Sequence, residues 1–157
     1  MNMRRVDEKL LFGAIDDCVA AGEMAVVHAC KAPCHQTRIG YTGSLHPDHE
    51  HYLSYETGHH LYLNMIDPPL PLFKKESFAA FFDFTDRMIE TREVLIHCNQ
   101  GQSRAPSLAL LYMAKRLDAL PDDSYEAARA AFEKKFPYAP SRGIETYLTE
   151  NWKSLGA

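Results

Sequence analysis

Three nearly continuous apolar runs restrict the fold of this chain more than any other feature of its sequence. They are residues 24–29 (MAVVHA), 61–66 (LYLNMI) and 94–97 (VLIH), and each has the length of a strand. Strands of this kind are covered on both faces, which occurs mainly in parallel sheets with helices on either side. A shorter run at residues 9–12, ended by Gly13, adds another strand. The runs therefore predict a central sheet between two layers of helix.

Helical patterns occupy the sequence between these predicted strands. The predicted helices cover residues 14–21, 76–90, 107–117, a segment that Asp123 and Glu126 would cap and that continues to Lys135, and residues 143–152. The segment 107–117 is apolar nearly all round, as expected of a buried helix. Strands interleaved with helices predict the α/β class with a mainly parallel central sheet.

Composition narrows the classes of protein and of partner. With 157 residues, of which 46% are hydrophobic, we expect one domain over residues 1–157. The net charge of -4 argues against a nucleic-acid partner. Apolar runs stay far short of the roughly 20 residues that cross a bilayer, and the opening MNMRRVDEK lacks the apolar core of a signal peptide. We therefore expect a cytoplasmic protein without a membrane partner, whose four cysteines are reduced.

The stretch HCNQGQSRAP, residues 97–106, joins a predicted strand to a predicted helix. Ligands bind at the carboxyl ends of strands in such sheets, and the first turn of a helix has unpaired N–H groups that attract anions. Gly101 permits the backbone torsions of a tight loop, and Arg104 can donate two hydrogen bonds to phosphate. The predicted phosphate-binding residues are Asn99, Gln100, Gly101, Gln102, Ser103 and Arg104. The electrostatic field that attracts an anion also favours a thiolate, so Cys98 is the predicted nucleophile.

The pattern of His97, Cys98, Gly101 and Arg104 resembles the HCxxGxxR signature of the cysteine-dependent protein tyrosine phosphatase superfamily. The surrounding VLIHCNQGQSRAPSLALLYMAKR resembles the core of the dual-specificity phosphatases. KLLFGAIDDCVAAG and AARAAFEKKFPYAPSRGIETYL resemble the start and end of that domain, whereas residues 31–60 match least. The resemblance implies a dual-specificity phosphatase-like fold and hydrolysis of phosphotyrosine, phosphoserine or phosphothreonine in proteins through a phosphocysteine, with no cofactor.

Asp67 is the predicted general acid. A phosphate ester needs a proton donor because its leaving oxygen departs poorly until it is protonated. Asp67 follows the run LYLNMI and precedes three prolines, which place it on a loop at the edge where Cys98 lies. The resembled family carries its acid aspartate on a loop at about this place. Asp83 and Asp86 are the competitors, but they fall within a helical pattern and are expected at the surface.

Two neighbours of the motif have predicted supporting roles. His97 is expected to hold loop carbonyls by hydrogen bonds rather than to transfer protons. Ala105 stands where the resembled family usually has serine or threonine, whose hydroxyl can donate to the cysteine sulfur. The absence of this hydroxyl predicts a less stabilised thiolate and slow hydrolysis of the phosphocysteine, unless another donor such as Ser103 replaces it.

Residues 28–60 contain seven of the eight histidines, together with Cys30 and Cys34. This composition suggests a zinc site, but the paired spacings of closed zinc sites are missing. We favour a long loop with Tyr41, Tyr52 and Tyr55 packed beside the mouth of the active site, and we expect no metal.

Three other functions remain compatible with the sequence. A phosphatase of RNA ends or of small metabolites would use the same residues. A phosphate-binding pseudophosphatase would retain the loop with little turnover. A rhodanese-like sulfurtransferase also uses a loop cysteine over backbone amides, but it gives no reason for Asp67. The uncharged Asn99, Gln100 and Gln102 argue against a polyanionic phosphoinositide substrate.

Overall fold

The computed structural model describes residues 3–157 and has a mixed sheet at its centre. Its strands are β1 (Arg4–Asp7), β2 (Leu10–Gly13), β3 (Ala25–His28), β4 (Ser54–Thr57), β5 (His60–Leu63) and β6 (Val94–His97). Their spatial order is β1-β2-β6-β3-β5-β4. The four inner strands run parallel, and the two edge strands pair antiparallel with β2 and β5. The predicted α/β class with a mainly parallel sheet is confirmed.

Helices lie on both faces of this sheet. They are α1 (Ile15–Val19), α2 (Gln36–Ile39), α3 (Lys75–Met88), α4 (Arg104–Lys115), α5 (Tyr125–Glu133) and α6 (Arg142–Asn151). A π-helical turn, Lys31–His35, precedes α2, and a 3-10 turn, Trp152–Ser154, follows α6. Within residues 3–157, no helix combines the length and the apolar character needed to span a membrane.

Side chains alternate between the two faces of each inner strand. Phe12, Val27 and Ile96 belong to the main core on the face covered by α3 to α6. Leu95 and Val26 belong to a smaller cluster on the other face, which Cys18 of α1 borders. Cys98 also belongs to the main core. His97 lies between Ile96 and Cys98 in the chain, so the alternation directs its ring to the opposite face.

The register brings three strand ends to one edge of the sheet. In β6, His97 lies opposite Gly13 of β2 on one side and opposite His28 of β3 on the other. The loops that follow these three strands therefore begin side by side. This edge is the carboxyl edge at which the sequence places Cys98.

The boundaries of several helices differ from the prediction. Ser124, not Asp123, caps α5, because its Oγ accepts a hydrogen bond from the Ala127 N–H at 3.1 Å. The helix α4 begins at Arg104, three residues before the predicted start. The helix α1 ends at Val19, two residues before the predicted end. The earlier start of α4 matters for function because it places Arg104 in the first helical turn.

Candidate active site

Cys98 follows β6 directly and lies at the N-terminus of α4. Its side chain is buried, with 2% of the residue surface exposed. The Ala105 N–H donates a hydrogen bond to the Cys98 Sγ at 3.4 Å. This N–H belongs to the first turn of α4, where N–H groups have no acceptor within the helix. The partial positive charge of the helix N-terminus stabilises a negative sulfur, so the geometry suits a thiolate.

Gly101 makes the turn between the strand and the helix possible. Its φ of 72° lies in the left-handed region, and a Cβ there would lie 2.9 Å from the carbonyl carbon of Gly13. Side chains larger than hydrogen therefore conflict with both the torsion and the packing. Two backbone hydrogen bonds hold the loop against the end of β2. The Cys98 N–H donates to the Gly13 carbonyl oxygen at 3.3 Å, and the Ile15 N–H donates to the Asn99 carbonyl oxygen at 3.1 Å.

The Arg104 guanidinium is buried and fixed at both ends. Nη1 donates to the Met65 carbonyl at 2.8 Å, and Nη2 donates to Oδ1 of Asn99 at 2.7 Å. Its Nε is one of two fully buried side-chain nitrogen or oxygen atoms without a partner in residues 3–157, the other being Oγ1 of Thr85. An unpaired buried donor is costly. A phosphate oxygen would accept from it, and Arg104 thus suits an anion in the adjoining cleft.

The Asn99 side chain orients Arg104 and connects the loop to a neighbouring segment. While its Oδ1 accepts from Arg104, its Nδ2 donates to the Ala32 carbonyl at 2.8 Å. Asn99 therefore spans from α4 to the turn Lys31–His35. Its side chain makes structural contacts, so that only its backbone N–H is left for the predicted role in phosphate binding. Gln100 and Gln102 line the cleft beside it.

Asp67 reaches the same cleft from the loop after β5. The Ser103 hydroxyl donates to Oδ1 of Asp67 at 3.0 Å, and the same Ser103 Oγ accepts a hydrogen bond from the Ser141 N–H at 2.9 Å. The cleft has a volume of about 320 Å³. Its walls are formed by Asp67, Cys98, Asn99, Gln100, Gln102, Ser103, Arg104, Ala139 and Ser141. The structure thus brings the predicted nucleophile, phosphate ligand and acid together.

The competing acids lie elsewhere. Asp83 and Asp86 are on the surface of α3, where Arg87 pairs with Asp83 at 3.0 Å and Arg116 pairs with Asp86 at 3.2 Å. Neither lines the cleft around Cys98. Their ion pairs account for them as surface residues, as the helical pattern predicts.

Three histidine side chains in mutual contact lie on the face of the sheet opposite to Cys98. His97 Nδ1 donates to the Cys98 carbonyl at 3.1 Å, and its Nε2 lies 2.7 Å from Nδ1 of His28. His28 Nε2 lies 3.0 Å from Nδ1 of His60. Burial lowers the pKa of His97 and lowers the pKa of His28 to about 3. The His97 ring is therefore neutral at pH 7 and holds a loop carbonyl, which is the type of contact expected of it.

Part of the segment 31–60 lies close to the loop that carries Asp67, namely Lys31, Ser44, Leu45, Tyr52 and Leu53. Tyr52 lines a groove of about 370 Å³ that also contacts Ile66, the residue before Asp67. The histidines of the loop do not form one cluster, since His46 and His49 are exposed. The prediction of one long loop is wrong for much of the segment, because it contains the turn Lys31–His35, α2 and β4. Of the three tyrosines expected near the mouth, Tyr52 lines this groove, whereas Tyr55 belongs to β4 and the Tyr41 hydroxyl lies 2.7 Å from Nδ1 of His35.

Sequence reasoning missed three contacts of the candidate site. The Met65 carbonyl that holds Arg104 leaves no signal in residue type because it is backbone. The hydrogen bonds of Ser103 to Asp67 and Ser141 join segments far apart in the chain. The sequence predicts Ser103 as a phosphate ligand or as a substitute donor to Cys98. In the structure its hydroxyl is directed to Asp67 instead.

Comparison with known proteins identifies the fold. No protein-family model matches the chain, and no curated protein sequence matches it. Among solved structures, the Cydia pomonella PTP-2 phosphatase has 20% identity and a TM-score of 0.64 over 95% of this chain and 89% of that one. The human tyrosine phosphatase-like serine/threonine/tyrosine-interacting protein has 17% identity and a TM-score of 0.66 over 97% and 96%. Human DUSP28 has 14% identity and a TM-score of 0.65 over 100% and 97%. The chain therefore has the dual-specificity and tyrosine phosphatase fold that its sequence resemblance implies.

Proposed function

We propose that this chain is a cysteine-dependent phosphatase that hydrolyses phosphomonoesters through a phosphocysteine. One observation carries the proposal: Cys98, Asp67 and Arg104, whose Nε has no partner, line one cleft at the N-terminus of α4. Nucleophile, anion ligand and proton donor are the three groups that the reaction needs. The shared fold with solved phosphatases supports the same reaction class.

In the first step the Cys98 thiolate attacks phosphorus, and a sulfur–phosphorus bond forms as the bond to the leaving oxygen breaks. Backbone N–H groups of the loop and the Arg104 guanidinium bind the equatorial oxygens, where negative charge is concentrated. Asp67 enters this step protonated and gives its proton to the leaving oxygen. The alcohol or phenol product departs neutral.

In the second step water attacks the phosphocysteine. The Asp67 carboxylate takes a proton from this water, and inorganic phosphate forms as the sulfur–phosphorus bond breaks. Cys98 leaves as a thiolate, which the Ala105 N–H stabilises through its hydrogen bond. Asp67 is then protonated and Cys98 is ionised, so the next cycle can start.

Phosphorylated tyrosine, serine or threonine in proteins is the proposed substrate class. Ile66, Leu70 and Leu72 flank Asp67 with 45%, 60% and 61% of their surface exposed. The groove beside Ile66 is lined by apolar residues, by Ser44, Asn64 and Ser77, and by Lys31 and Lys74. A polypeptide can place its own side chains on this surface while its phosphate lies over Cys98. A small metabolite would leave that surface unused, which is why we favour a protein substrate.

A substrate panel tests this proposal. It contains phosphotyrosine, phosphoserine and phosphothreonine peptides, nucleotides, 5′-phosphorylated RNA and inositol phosphates, each given to the wild type and to Cys98→Ser. We expect turnover of the peptides by the wild type. Cys98→Ser should lose turnover but still bind vanadate, because a serine hydroxyl stays protonated at neutral pH while the anion-binding loop is unchanged.

Other results of the panel would replace the proposal with a named alternative. Turnover of RNA or nucleotides alone would indicate a phosphatase of RNA ends or metabolites. Tight phosphopeptide binding without turnover would indicate a binding module, and turnover of thiosulfate alone would indicate a sulfurtransferase. Substantial activity in Cys98→Ser would exclude the phosphocysteine.

A further inference from the structure

Four side chains with metal-binding atoms converge behind the catalytic loop. They are Cys18, His28, Cys34 and His97, and we name them the Cys2His2 cluster. Their two sulfur and two nitrogen atoms all lie within 4.8 Å of one another. Cys18 comes from α1, His28 from the end of β3, Cys34 from the turn Lys31–His35 and His97 from the end of β6. Such convergence of four separate segments is not expected of scattered surface residues.

The Cys2His2 cluster is distinct from the active-site cleft. His28 and His97 are register partners on adjacent parallel strands, so their rings project to the same face of the sheet. This face is the one that α1 covers, whereas Cys98 belongs to the core on the other face. The nucleophile is therefore free of the cluster, although it follows His97 directly in the chain.

We propose that the Cys2His2 cluster binds one zinc ion with tetrahedral coordination. Two thiolates and two imidazoles are a donor set that selects Zn²⁺. Zinc bonds of ordinary length place tetrahedral ligand atoms about 3.3–3.8 Å apart. The Cys34 Sγ lies 3.8 Å from Nε2 of His97. The Nδ1 of His28 lies 2.7 Å from the same nitrogen, so these two atoms need to separate by roughly half an ångström.

The outer contacts of the two histidines suit metal ligands. His97 donates its Nδ1–H to the Cys98 carbonyl, which leaves the lone pair of Nε2 directed into the cluster. His28 offers Nδ1 to the cluster while its Nε2 faces Nδ1 of His60 at 3.0 Å. A histidine that ligates a metal through one nitrogen typically donates from the other. With zinc bound, His28 donates its Nε2–H to His60, whose own proton then resides on Nε2.

Binding involves no change of oxidation state. Zn²⁺ replaces the thiol protons of Cys18 and Cys34, two protons are released to solvent, and two sulfur–zinc and two nitrogen–zinc bonds form. Cys18 and Cys34 are only partly buried, so the ion reaches the cluster from the surface beside α1. His28 and His97 form the inner wall, with 6% and 0% of their surface exposed.

The position of the cluster gives the ion a structural role. It would join α1, β3 and the turn Lys31–His35 to the residue that precedes Cys98. Asn99 already connects the catalytic loop to that turn through Ala32. A zinc ion would fix the base of the loop by a second route, independently of whether the chain is a phosphatase.

The experiment titrates Co²⁺ into the full-length chain under anaerobic, reducing conditions. Cys98→Ser serves as the background, so that the active-site thiol cannot be the ligand. We expect thiolate-to-cobalt charge transfer and the visible bands of tetrahedral Co²⁺, saturating at one equivalent and removed by added Zn²⁺. Cys18→Ser combined with Cys34→Ser in this background should lose the charge-transfer band. His46→Asn and His49→Asn, which change exposed loop histidines, should keep it.

Two further readouts make the result independent of folding. Circular dichroism checks that Cys18→Ser retains its secondary structure, and this substitution is mild because Cys18 is only partly buried. Zinc should raise the melting temperature of the Cys98→Ser chain but not that of Cys98→Ser with Cys18→Ser, since only a ligand that binds the folded state stabilises it.

His60→Ala should weaken Co²⁺ binding roughly 10–100-fold by removing the outer contact of His28. An octahedral or absent spectrum, or a spectrum that survives Cys18→Ser and Cys34→Ser, would overturn the proposal.

Discussion

Ser103 donates a hydrogen bond from its hydroxyl to Oδ1 of Asp67, with 3.0 Å between the two oxygens. Ser103 is part of the loop that starts at Cys98, whereas Asp67 lies on the proline-rich loop after β5. The Ser141 N–H donates to the same serine oxygen at 2.9 Å, which fixes the direction of the hydroxyl. The bond therefore orients the proposed acid relative to the proposed nucleophile and leaves Oδ2 of Asp67 to carry the proton.

Replacement of Ser103 by alanine removes this orientation without removing the acid. A hydrogen bond to a carboxyl group contributes about 1.5 kcal/mol, so we expect roughly a tenfold fall in turnover. The fall should be largest for aryl phosphates with poor leaving groups, because they depend most on protonation. The dependence of turnover on the acidity of the leaving phenol, measured for the wild type and Ser103→Ala, checks this.

A double-mutant cycle separates orientation of Asp67 from a general distortion of the loop. Asp67→Asn alone should cost on the order of 10²-fold for a poor leaving group and much less for a good one. Ser103→Ala should then add little to Asp67→Asn, since both substitutions remove the same function. Independent, multiplying effects would show that Ser103 acts on the loop rather than through Asp67.

Arg104→Lys should lower turnover by roughly 10²–10³-fold, the range seen when one preorganised donor of an oxyanion site is removed. The guanidinium spans the Met65 carbonyl and the Asn99 amide while keeping Nε available, and a single ammonium group cannot reproduce these directions. Steady-state kinetics and vanadate inhibition measure the effect. Arg142→Lys, at an exposed position next to Ser141, is the matched control and should change neither. Near-normal rates in Arg104→Lys would mean that Arg104 does not bind phosphate.

The parts of the fold that sequence predicted are those with dense local signals. The strand β6 lies at residues 94–97 as its apolar run indicates. The edge strands β1 and β4 were missed because each has a solvated side, where Arg4, Arg5 and Glu56 are exposed and interrupt any apolar pattern. Edge strands pair on one side only, so their burial is too low to leave the signature of an inner strand.

The parts of the site that sequence predicted share one segment of chain. Cys98, Gly101 and Arg104 lie within the strand–loop–helix unit, whose geometry follows from local pattern. The Cys2His2 cluster is different, because Cys18 and His97 lie outside residues 28–60, the histidine-rich segment whose composition suggests a zinc site. Only the parallel register of β3 and β6 brings His28 to His97, and register cannot be calculated from the spacing of residues along the chain.

Gly143 should not tolerate alanine, although it lies within a helix. Alanine normally favours a helix over glycine by about 1 kcal/mol. Here an added Cβ would overlap the carbonyl oxygens of Pro68 and Leu70, on the loop that carries Asp67. We therefore expect Gly143→Ala to lower the free energy of unfolding in urea and to reduce turnover of poor leaving groups. Glu150→Ala, at an exposed position of the same helix, should do neither. A stabilised, fully active Gly143→Ala would show that the loop moves away at no cost.

Alkaline pH should destabilise the fold through two neighbouring tyrosines, Tyr125, which is buried, and Tyr138, which is partly buried. The Tyr125 and Tyr138 hydroxyls lie 2.8 Å apart, and burial raises the pKa of both, against the opposing effect of the nearby Arg129. Tyrosines in the unfolded chain titrate near 10. Below about pH 10 neither state loses these protons, so stability is unaffected; above it the unfolded state loses protons that the folded state retains. The free energy of unfolding should therefore fall as the pH rises beyond about 10.

Urea unfolding followed across this range measures the effect. Tyr125→Phe with Tyr138→Phe should show a shallower fall with pH, because the groups that titrate are gone. The double variant starts from a lower stability, since Ser107 loses the partner that lies 2.6 Å from its hydroxyl. The slope with pH is therefore the informative quantity, and equal slopes in both proteins would assign the alkaline loss to other groups.

Ala105 should make hydrolysis of the phosphocysteine the slow step. The Cys98 sulfur accepts a hydrogen bond from the Ala105 N–H, but Ala105 has no hydroxyl to donate a second one. The hydroxyl of Ser103 is directed to Asp67. A hydrogen bond to a charged group contributes roughly 1.5–3 kcal/mol. Without it the sulfur is a poorer leaving group in the second step. We therefore expect a burst of phenol release in the wild type, followed by a slower steady state.

Ala105→Ser supplies the missing donor beside the sulfur. We expect a smaller burst and a steady-state rate about tenfold higher, which corresponds to a bond of about 1.4 kcal/mol. Rapid mixing with a chromogenic aryl phosphate measures both the burst amplitude and the steady rate. Ala139→Ser adds a hydroxyl to another wall of the same cleft and should change neither quantity. If the wild type shows no burst and Ala105→Ser turns over at the wild-type rate, attack on phosphorus limits the reaction, and the alanine has no influence on the departure of Cys98.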